Sequence, residues 1–369
     1  MKKIIIATDQ IHLHGGIEKV MATKVNYWAN LPNVEVIILT TEQNNLPPRY
    51  FLDNRVKLLD LRINYNRRKS YLSIENIIKA IKHFFRQQKI LKEINPNIII
   101  SPSYSFDHFW LPFIKKSALL IKELHSSGYN SLEKRGNISL ISRIKFDFID
   151  WIATKYNHIV VLNEDEMQYI ASKNAVVIPN PIELSDLSAD VQAKKVIAAG
   201  RLSPIKRFDK LIEAWVLVHK IMPNWQLHIY GQDYLNTKQI LQQKISESCL
   251  SEVIIIKDSV PNIPLVMTEY SIYAMTSESE CFPMVLLEAL SVGLPIVSFD
   301  CPNGPRNIIK NNEDGVLVPN NNVEALAEAL LKLMENSESR IIMSEQAKKN
   351  IERFSIPLVM RQWHTLLRL

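Results

Sequence analysis

Short aliphatic runs, apolar at every position rather than at alternate ones, recur along this chain with amphipathic stretches between them. A strand with one wet face alternates polar and apolar residues. A run that is apolar throughout is covered on both faces, the mark of a parallel sheet with helices on either side. In the first half these runs are KKIIIATD (2–9), VEVIILTT (34–41), NIIIS (97–101), ALLIKEL (118–124) and HIVVLN (158–163). A helix fits 17–29. The stretch IENIIKAIKHFFRQQKILKEI (74–94) reads as a long helix with cations scattered along it. The pattern breaks in VVIPNPIEL (176–184), at Pro179, Asn180 and Pro181, and the polar segment up to Lys195 reads as a linker. It then resumes with VIAAG (196–200), WQLHIYG (225–231), VIIIKD (253–258), SIYAMTS (271–277) and PIVSFD (295–300). Two successive series imply an α/β protein of two doubly wound, Rossmann-like domains. The boundaries fall at 1–180 and 181–355, and residues 356–369 form a C-terminal helix that packs back on the N-terminal domain.

Composition narrows the class. At 47% hydrophobic and 22% charged residues, a chain of 369 residues is globular and fills two ordinary domains. The opening apolar run reaches Asp9 too early for a signal peptide, and no stretch matches the roughly 18–20 apolar residues of a membrane helix. The three cysteines, Cys249, Cys281 and Cys301, lack metal-type spacing, so a reduced, cytoplasmic setting is expected. Charge is uneven: residues 1–180 carry 25 Lys+Arg against 16 Asp+Glu, and residues 181–369 carry 19 against 22. The basic half fits an anionic partner or a lysine-rich solvated surface. Within it, RINYNRRKSY (62–71) with Lys79, Lys82, Arg86, Lys89 and Lys92 is the candidate contact for an anionic membrane surface, the alternative being a solvated helix face. The basic residues lack the interleaved aromatics of a stacking platform, so no nucleic-acid partner is expected.

Ligands of doubly wound sheets gather at the carboxyl ends of strands, beside helix N-termini. Three clusters stand there. In GGIEKV (15–20), Gly15 and Gly16 let backbone approach an anion, or are an ordinary loop pair; no GxGxxG is present. In AGRLSPIKRFDKLIEAW (199–215), Arg201 and Lys206 place two cations on a strand-end loop, a pattern suited to a diphosphate leaving group. In SESECFPMVLLEALSVGLPIVSFDCPNGPRNII (277–309), Glu280 and Glu288 flank the start of an apolar helix, with Pro283 fitting its first turn and the free amides around it, at Phe282, Met284 and Val285, pointing at an anion. If the helix begins at Glu280 the two acids share a face; if Glu280 lies in the preceding loop they reach different parts of one ligand. His125 ends the run ALLIKELH, at a strand end, and is either a site residue or an ordinary loop histidine. The acidic run after Asn163 reads as a helix start, and no Asp-x-Asp pair follows a strand, so no metal site is expected.

GGIEKV, AAGRLSPIKRFDKLIEAW and SESECFPMVLLEALSVGLPIVSFDCPNGPRNIIKNNEDGVLVP together resemble the retaining GT-B glycosyltransferases of glycosyltransferase family 4, nearest to bacterial members that build lipopolysaccharide, capsule and exopolysaccharide. The match is dense over about 196–325 and thin before it. The resemblance implies two domains facing across a cleft and a catalytic set of Glu280, His125, Arg201 and Lys206. Arg201, Lys206 and Gly16 would hold the donor diphosphate, Glu280 the donor sugar, and Glu288 the ribose hydroxyls. It implies transfer of a hexose or N-acetylhexosamine from a nucleotide diphosphate sugar, UDP-linked by default, to a glycan or lipid-linked acceptor, without metal or cofactor, in the cytoplasm or on the inner membrane face. The alternatives are a nucleotide-sugar epimerase of the same fold and a non-catalytic nucleotide-sugar binder. Two departures stand out: Cys281 and Pro283 occupy positions where many relatives have glycine, and Arg207 stands where glycine follows the lysine.

Overall fold

The apolar runs become the strands of two parallel sheets. The computed structural model describes residues 1–102, 105–129 and 140–369. These divide into one unit of Met1–Pro181 with Met360–Leu369, and a second of Ile182–Val359.

In the first unit the strands are β1 (Lys2–Thr8), β2 (Val34–Thr40), β3 (Lys57–Asp60), β4 (Ile98–Ser101), β5 (Leu119–Glu123), β6 (His158–Val161) and β7 (Ala175–Val177). Their order is β3-β2-β1-β4-β5-β6-β7, and every pairing is parallel. The second unit holds β8 (Lys195–Ala199), β9 (Gln226–Tyr230), β10 (Ile254–Lys257), β11 (Ile272–Met275), β12 (Ile296–Asp300) and β13 (Gly315–Pro319). They run β10-β9-β8-β11-β12-β13, again all parallel. Each sheet therefore winds outward both ways from its first strand. The winding reverses between β1 and β4 in one unit and between β8 and β11 in the other, the switch points at whose carboxyl ends ligands of such sheets gather.

Register explains why continuous apolar runs were needed. Ile5 pairs with Ile37 and Ile99, and all three are buried in one core with Leu120 and Ile159. In the second unit Ala198, Leu227, Ile229, Ala274 and Val297 pack with Trp215 from the helix Phe208–His219. Three edge strands were not read from the sequence. In β3 exposed and half-buried residues alternate, because water covers one side. β7 is three half-buried residues at the start of the segment read as a break, and β13 is a partly exposed edge strand of the second sheet. The linker is not loose: the Ala189 and Asp190 amides donate to Val292 O and Thr268 O, and Arg340 Nε to Val191 O, all within the second unit.

The helix Ile356–Leu367 delivers Met360, Trp363 and Leu367, all buried, to the first unit. Trp363 meets Trp28 edge-on at 5.8 Å, and His364 meets Tyr27 at 5.5 Å.

The long helix runs Ile74–Ile94, capped by the Ser73 side chain and ended by Asn95 in the left-handed conformation. Its buried positions are Asn76, Ala80, His83, Gln87 and Leu91. Burial pulls the His83 imidazole down to about 3. Below its unfolded value near 6.5, the unfolded chain takes up a proton that folded His83 refuses. His83 therefore destabilises the folded state progressively as pH falls from about 6.5 toward 3 and costs nothing above that window. A His83→Gln variant removes this loss. Denaturant titrations are expected to show the wild-type advantage over the variant narrowing below pH about 6, by about 1.4 kcal/mol per pH unit. A pH-independent difference would mean the ring is not held neutral.

Candidate functional site

In the second unit the site is built at the ends of β8 and β11. Gly231, just after β9, passes so close to β8 that a Cβ there would lie 2.0 Å from the Gly200 carbonyl oxygen. Only glycine fits, and the close approach fixes where the chain leaves β8. Arg201 follows at once, exposed, with its guanidinium 5.3 Å over the ring of Tyr234. A 3-10 turn, Pro204–Lys206, then presents Lys206. Two bonds tie this turn to the end of β11: Thr276 Oγ1 donates to Lys206 O at 3.1 Å, and the Glu278 amide to Ile205 O at 2.8 Å.

Arg207 holds φ +48°, the left-handed region that favours glycine. The turn demands this conformation whatever the side chain. Here the arginine side chain bonds Asp209 at 3.2 Å and Asn321 at 3.4 Å.

Glu280 lies in the loop before the helix, which runs Met284–Ser291. Pro283 therefore occupies the N-cap position, not the first turn the sequence suggested, because its ψ of 111° is still extended. The loop after β12 straps Glu280 down. Its amide donates to Pro302 O at 2.8 Å, and its carbonyl accepts from the Asn303 and Gly304 amides at 3.0 and 2.9 Å. A Cβ on Gly304 would meet Pro283 Cδ at 2.7 Å and Glu280 Cβ at 2.8 Å, so this strap too requires glycine. Held in this way, Glu280 Oε1 pairs with Lys206 Nζ at 2.5 Å. The first-turn amides of the helix have no acceptor within it and carry the positive end of its dipole. The Phe282 side chain turns away and packs edge-on against Phe354 at 5.4 Å, leaving its backbone at the helix start.

Glu288 is buried mid-helix among Leu286, Leu287, Ala289 and Leu290. It and Glu280 act on one phenol. The Tyr273 hydroxyl donates to Ala199 O at 2.9 Å. Burial first, then the charges of Glu280 and Glu288, push that phenol far above the usual tyrosine range. Burial and Glu280 likewise push the Cys301 thiol up. Beneath the Lys206–Glu280 pair, Tyr273 and Cys301 thus stay protonated.

In the first unit, the helix Gly16–Ala29 starts where the sequence placed the glycine pair, and neither glycine is left-handed. The space over Gly15 is filled by the protein's own anion. A Cβ there would sit 2.2 Å from Glu18 Oε2, while Glu18 Oε1 accepts from Gln10 Nε2 at 3.0 Å. An incoming phosphate would have to displace this carboxylate.

His125 stands just past β5, with Nε2 3.3 Å from Glu123 Oε1. Glu123 in turn pairs with Lys24 at 2.5 Å, both buried, and Trp363 covers the Lys24 ammonium at 4.5 Å. Burial works to raise the Glu123 carboxyl, but Lys24 and His125 outweigh it and hold it at about 2. On the other face of β5, Lys122 Nζ donates to Ser101 Oγ at 3.3 Å. Burial brings Lys122 down to about 8 against the pull of Asp107, and burial pushes Asp107 up to about 6.

The structure thus joins Lys206 to Glu280, and joins the glycine-pair helix to His125 through Lys24 and Glu123. Lys24, Lys122, Glu123, Asp107 and Tyr273 were not singled out from the sequence. The one available signal was a Lys-Glu pair inside the apolar run ALLIKEL. Among the described residues, no group of three His, Cys, Asp or Glu side chains is arranged to hold a metal ion.

Residues 182–350, nearly the whole second unit, match the family described as Glycosyl transferases group 1. Over full length, the chain is 26% identical to an uncharacterized glycosyltransferase of Haemophilus influenzae, with 100% of each chain covered. It is 27% identical to the amylovoran biosynthesis glycosyltransferase AmsD of Erwinia amylovora, again over 100% of each. Among solved structures, S. aureus TarM in complex with Fondaparinux, alpha-GlcNAc-glycerol and UDP superposes with a TM-score of 0.79 at 17% identity, covering 100% of both chains. The two units are the two Rossmann-like domains of the GT-B fold.

The buried Lys24–Glu123 pair has a measurable signature. Lys24→Met leaves a buried carboxylate without its main partner and is expected to cost about 3–5 kcal/mol in denaturant unfolding, and Lys24→Met with Glu123→Gln to recover most of it. If the double variant is no more stable than the single one, the loss comes from packing, not from charge.

Proposed function

We propose that this chain is a retaining, metal-independent glycosyltransferase of cell-surface polysaccharide synthesis. In this reading it moves a hexose or N-acetylhexosamine from a UDP-linked donor to a glycan or lipid-linked acceptor. The observation that carries the reading is the Lys206–Glu280 pair, held by a glycine-dependent strap at the strand ends of the unit that matches the group 1 family.

In this reading Arg201 and Lys206 grip the donor diphosphate, joined by the helix amides of Met284 and Val285. Fixed positive charge there stabilises the leaving β-phosphate as the glycosidic bond breaks, the task a divalent cation performs elsewhere. Glu280 is poised between the cation that holds the phosphate and the sugar beside it, and Glu288 takes the ribose hydroxyls. The acceptor oxygen attacks from the face the phosphate leaves and gives its proton to that phosphate, so configuration is kept. In the first unit His125, backed by Glu123, contacts the transferred sugar, and Gly15 and Gly16 admit the diphosphate once Glu18 moves aside. An anionic membrane surface meets residues 62–92, and the enzyme works on the cytoplasmic face.

Titration calorimetry with UDP tests the diphosphate grip. Losing a charged hydrogen-bond donor costs about 1.5–3 kcal/mol, so Arg201→Ala is expected to weaken UDP binding roughly 10- to 150-fold. Unchanged affinity would remove Arg201 from the site. Turnover that persists after EDTA treatment supports catalysis by fixed cations. Activity abolished by EDTA and restored by Mg²⁺ would overturn it. Incubation with UDP-sugar alone separates the alternatives, since an epimerase changes the donor without an acceptor and a binder changes nothing.

A further inference from the structure

Over its first three turns the helix Ile74–Ile94 turns polar residues inward and apolar ones outward. Its inward face carries Asn76, His83 and Gln87, all buried, beside the core residues Ala80 and Leu91. Each of the three polar side chains has a specific partner, although the buried Nε2 of His83 has none. Asn76 Nδ2 donates to the carbonyls of Asn66 and Ser70, His83 Nδ1 meets Tyr65 OH at 3.0 Å, and Gln87 Oε1 accepts from Trp110 Nε1 at 2.6 Å. Its outward face carries Ile74, Ile78, Ile81 and Phe85, exposed by 79%, 62%, 56% and 62%. These positions recur every three or four residues and form one stripe, about 16 Å long. A helix whose polar face is bonded inward and whose apolar face meets solvent has that face reserved for another surface.

The stripe does not end with the helix. Phe85 meets Phe84 at 5.3 Å, and Phe84 meets Trp110 at 5.8 Å. Phe109, which immediately precedes Trp110, stacks on Phe148 at 5.9 Å; Phe148 stacks on Trp151 at 5.8 Å, and Trp151 on Phe113 at 6.1 Å. Phe113, Phe148 and Trp151 are themselves exposed. Cations rim this band. Lys82 and Lys89 lie on the flank of the stripe, both exposed, and Lys155 sits 4.9 Å over Trp151. The carboxylates near the stripe are engaged: Glu75 bonds Lys69 and Lys79, and Glu93 lies 3.9 Å from Lys89.

We propose that this face inserts into an anionic lipid bilayer, with the isoleucine stripe and Phe85 among the acyl chains and the tryptophan and lysines at the headgroups. Aliphatic residues at the centre, aromatic and cationic ones at the margin, is the distribution of an interfacial helix. A second copy of this chain would set two cationic rims against each other, whereas an anionic headgroup layer complements them. The inference rests on the proposed membrane contact of residues 62–92 and changes its nature. Arg67 is already bonded to Glu42, and Arg86 to Leu61 O, so the sequence's cations are partly spent within the protein. Apolar insertion, not charge alone, supplies the hold.

The test is co-sedimentation of the full chain with vesicles of phosphatidylcholine alone or with phosphatidylglycerol, at low salt and at about 0.5 M salt, where charge is screened within a few ångströms. Binding to the anionic vesicles is expected, and a substantial fraction should survive high salt. The Ile78→Asn, Phe85→Ser double variant should lose about tenfold in partitioning at both salt levels, with UDP affinity in the absence of vesicles unchanged. Lys82→Glu with Lys89→Glu should lose binding mainly at low salt. No binding to anionic vesicles overturns the proposal, as does binding abolished by salt and indifferent to Phe85→Ser. Self-association in solution that Phe85→Ser abolishes also overturns it, making the face a contact between copies. Failure of UDP binding alone would touch the nucleotide-sugar reading and leave this one standing.

Discussion

Parallel pairing is the constraint from which everything else in this molecule descends. A parallel strand cannot turn straight back into its neighbour, so each strand must cross over through a covering segment. The central strands of both sheets are then apolar on two faces, and every strand releases its chain at the same edge. Functional side chains from distant parts of the sequence therefore collect there without any contact between their parent segments. Lys206 and Glu280, 74 positions apart, meet because β8 and β11 are sheet neighbours where the winding reverses.

The two units use that edge differently. In the second, the charged pair is partly accessible, with Lys206 23% and Glu280 14% exposed, and its position is enforced by backbone: the strap on Glu280 and the close approach at Gly231. A ligand arriving there meets geometry that need not reorganise, the condition for strong electrostatic stabilisation. In the first, the charges are buried within the structure as Lys24–Glu123 and as Lys122 with Asp107. Such groups are expensive to bury and worth keeping only where they fix something. What Lys24 and Glu123 fix is the ring of His125.

What the sequence disclosed depended on whether a signal was local. Central strands announce themselves because both faces are dry. The edge strands β3, β7 and β13 do not, because their wet sides dilute the pattern. The strand-end loops around Arg201, Lys206 and Glu280 were legible as motifs, since residue types and spacing there are dictated by backbone shape. Arg207 shows the same logic from the other side: its left-handed backbone is what the neighbouring turn demands, and no sequence pattern of arginine reveals it. Lys24 and Glu123 lie 99 residues apart, so their pairing had no local trace. The helix Ile74–Ile94 was legible as a helix, but which of its faces turns inward was not. Its period was plain, but periodicity states only that two faces differ. Choosing the apolar one as the inner face is a rule of thumb, and here Tyr65, Trp110 and the Asn66 backbone reverse it by bonding the polar side.

Trp363 closes over Lys24 and Trp28, yet it is joined to them only through the whole second unit. On the ribosome, the first unit's strands emerge long before this tryptophan does. Until residues 360–369 are synthesised, Trp28 lacks its edge-on partner and the Lys24 ammonium its aromatic cover. The earliest part of the chain is thus obliged to wait for the latest, and a nascent chain carrying a complete sheet still presents an unsealed core to chaperones.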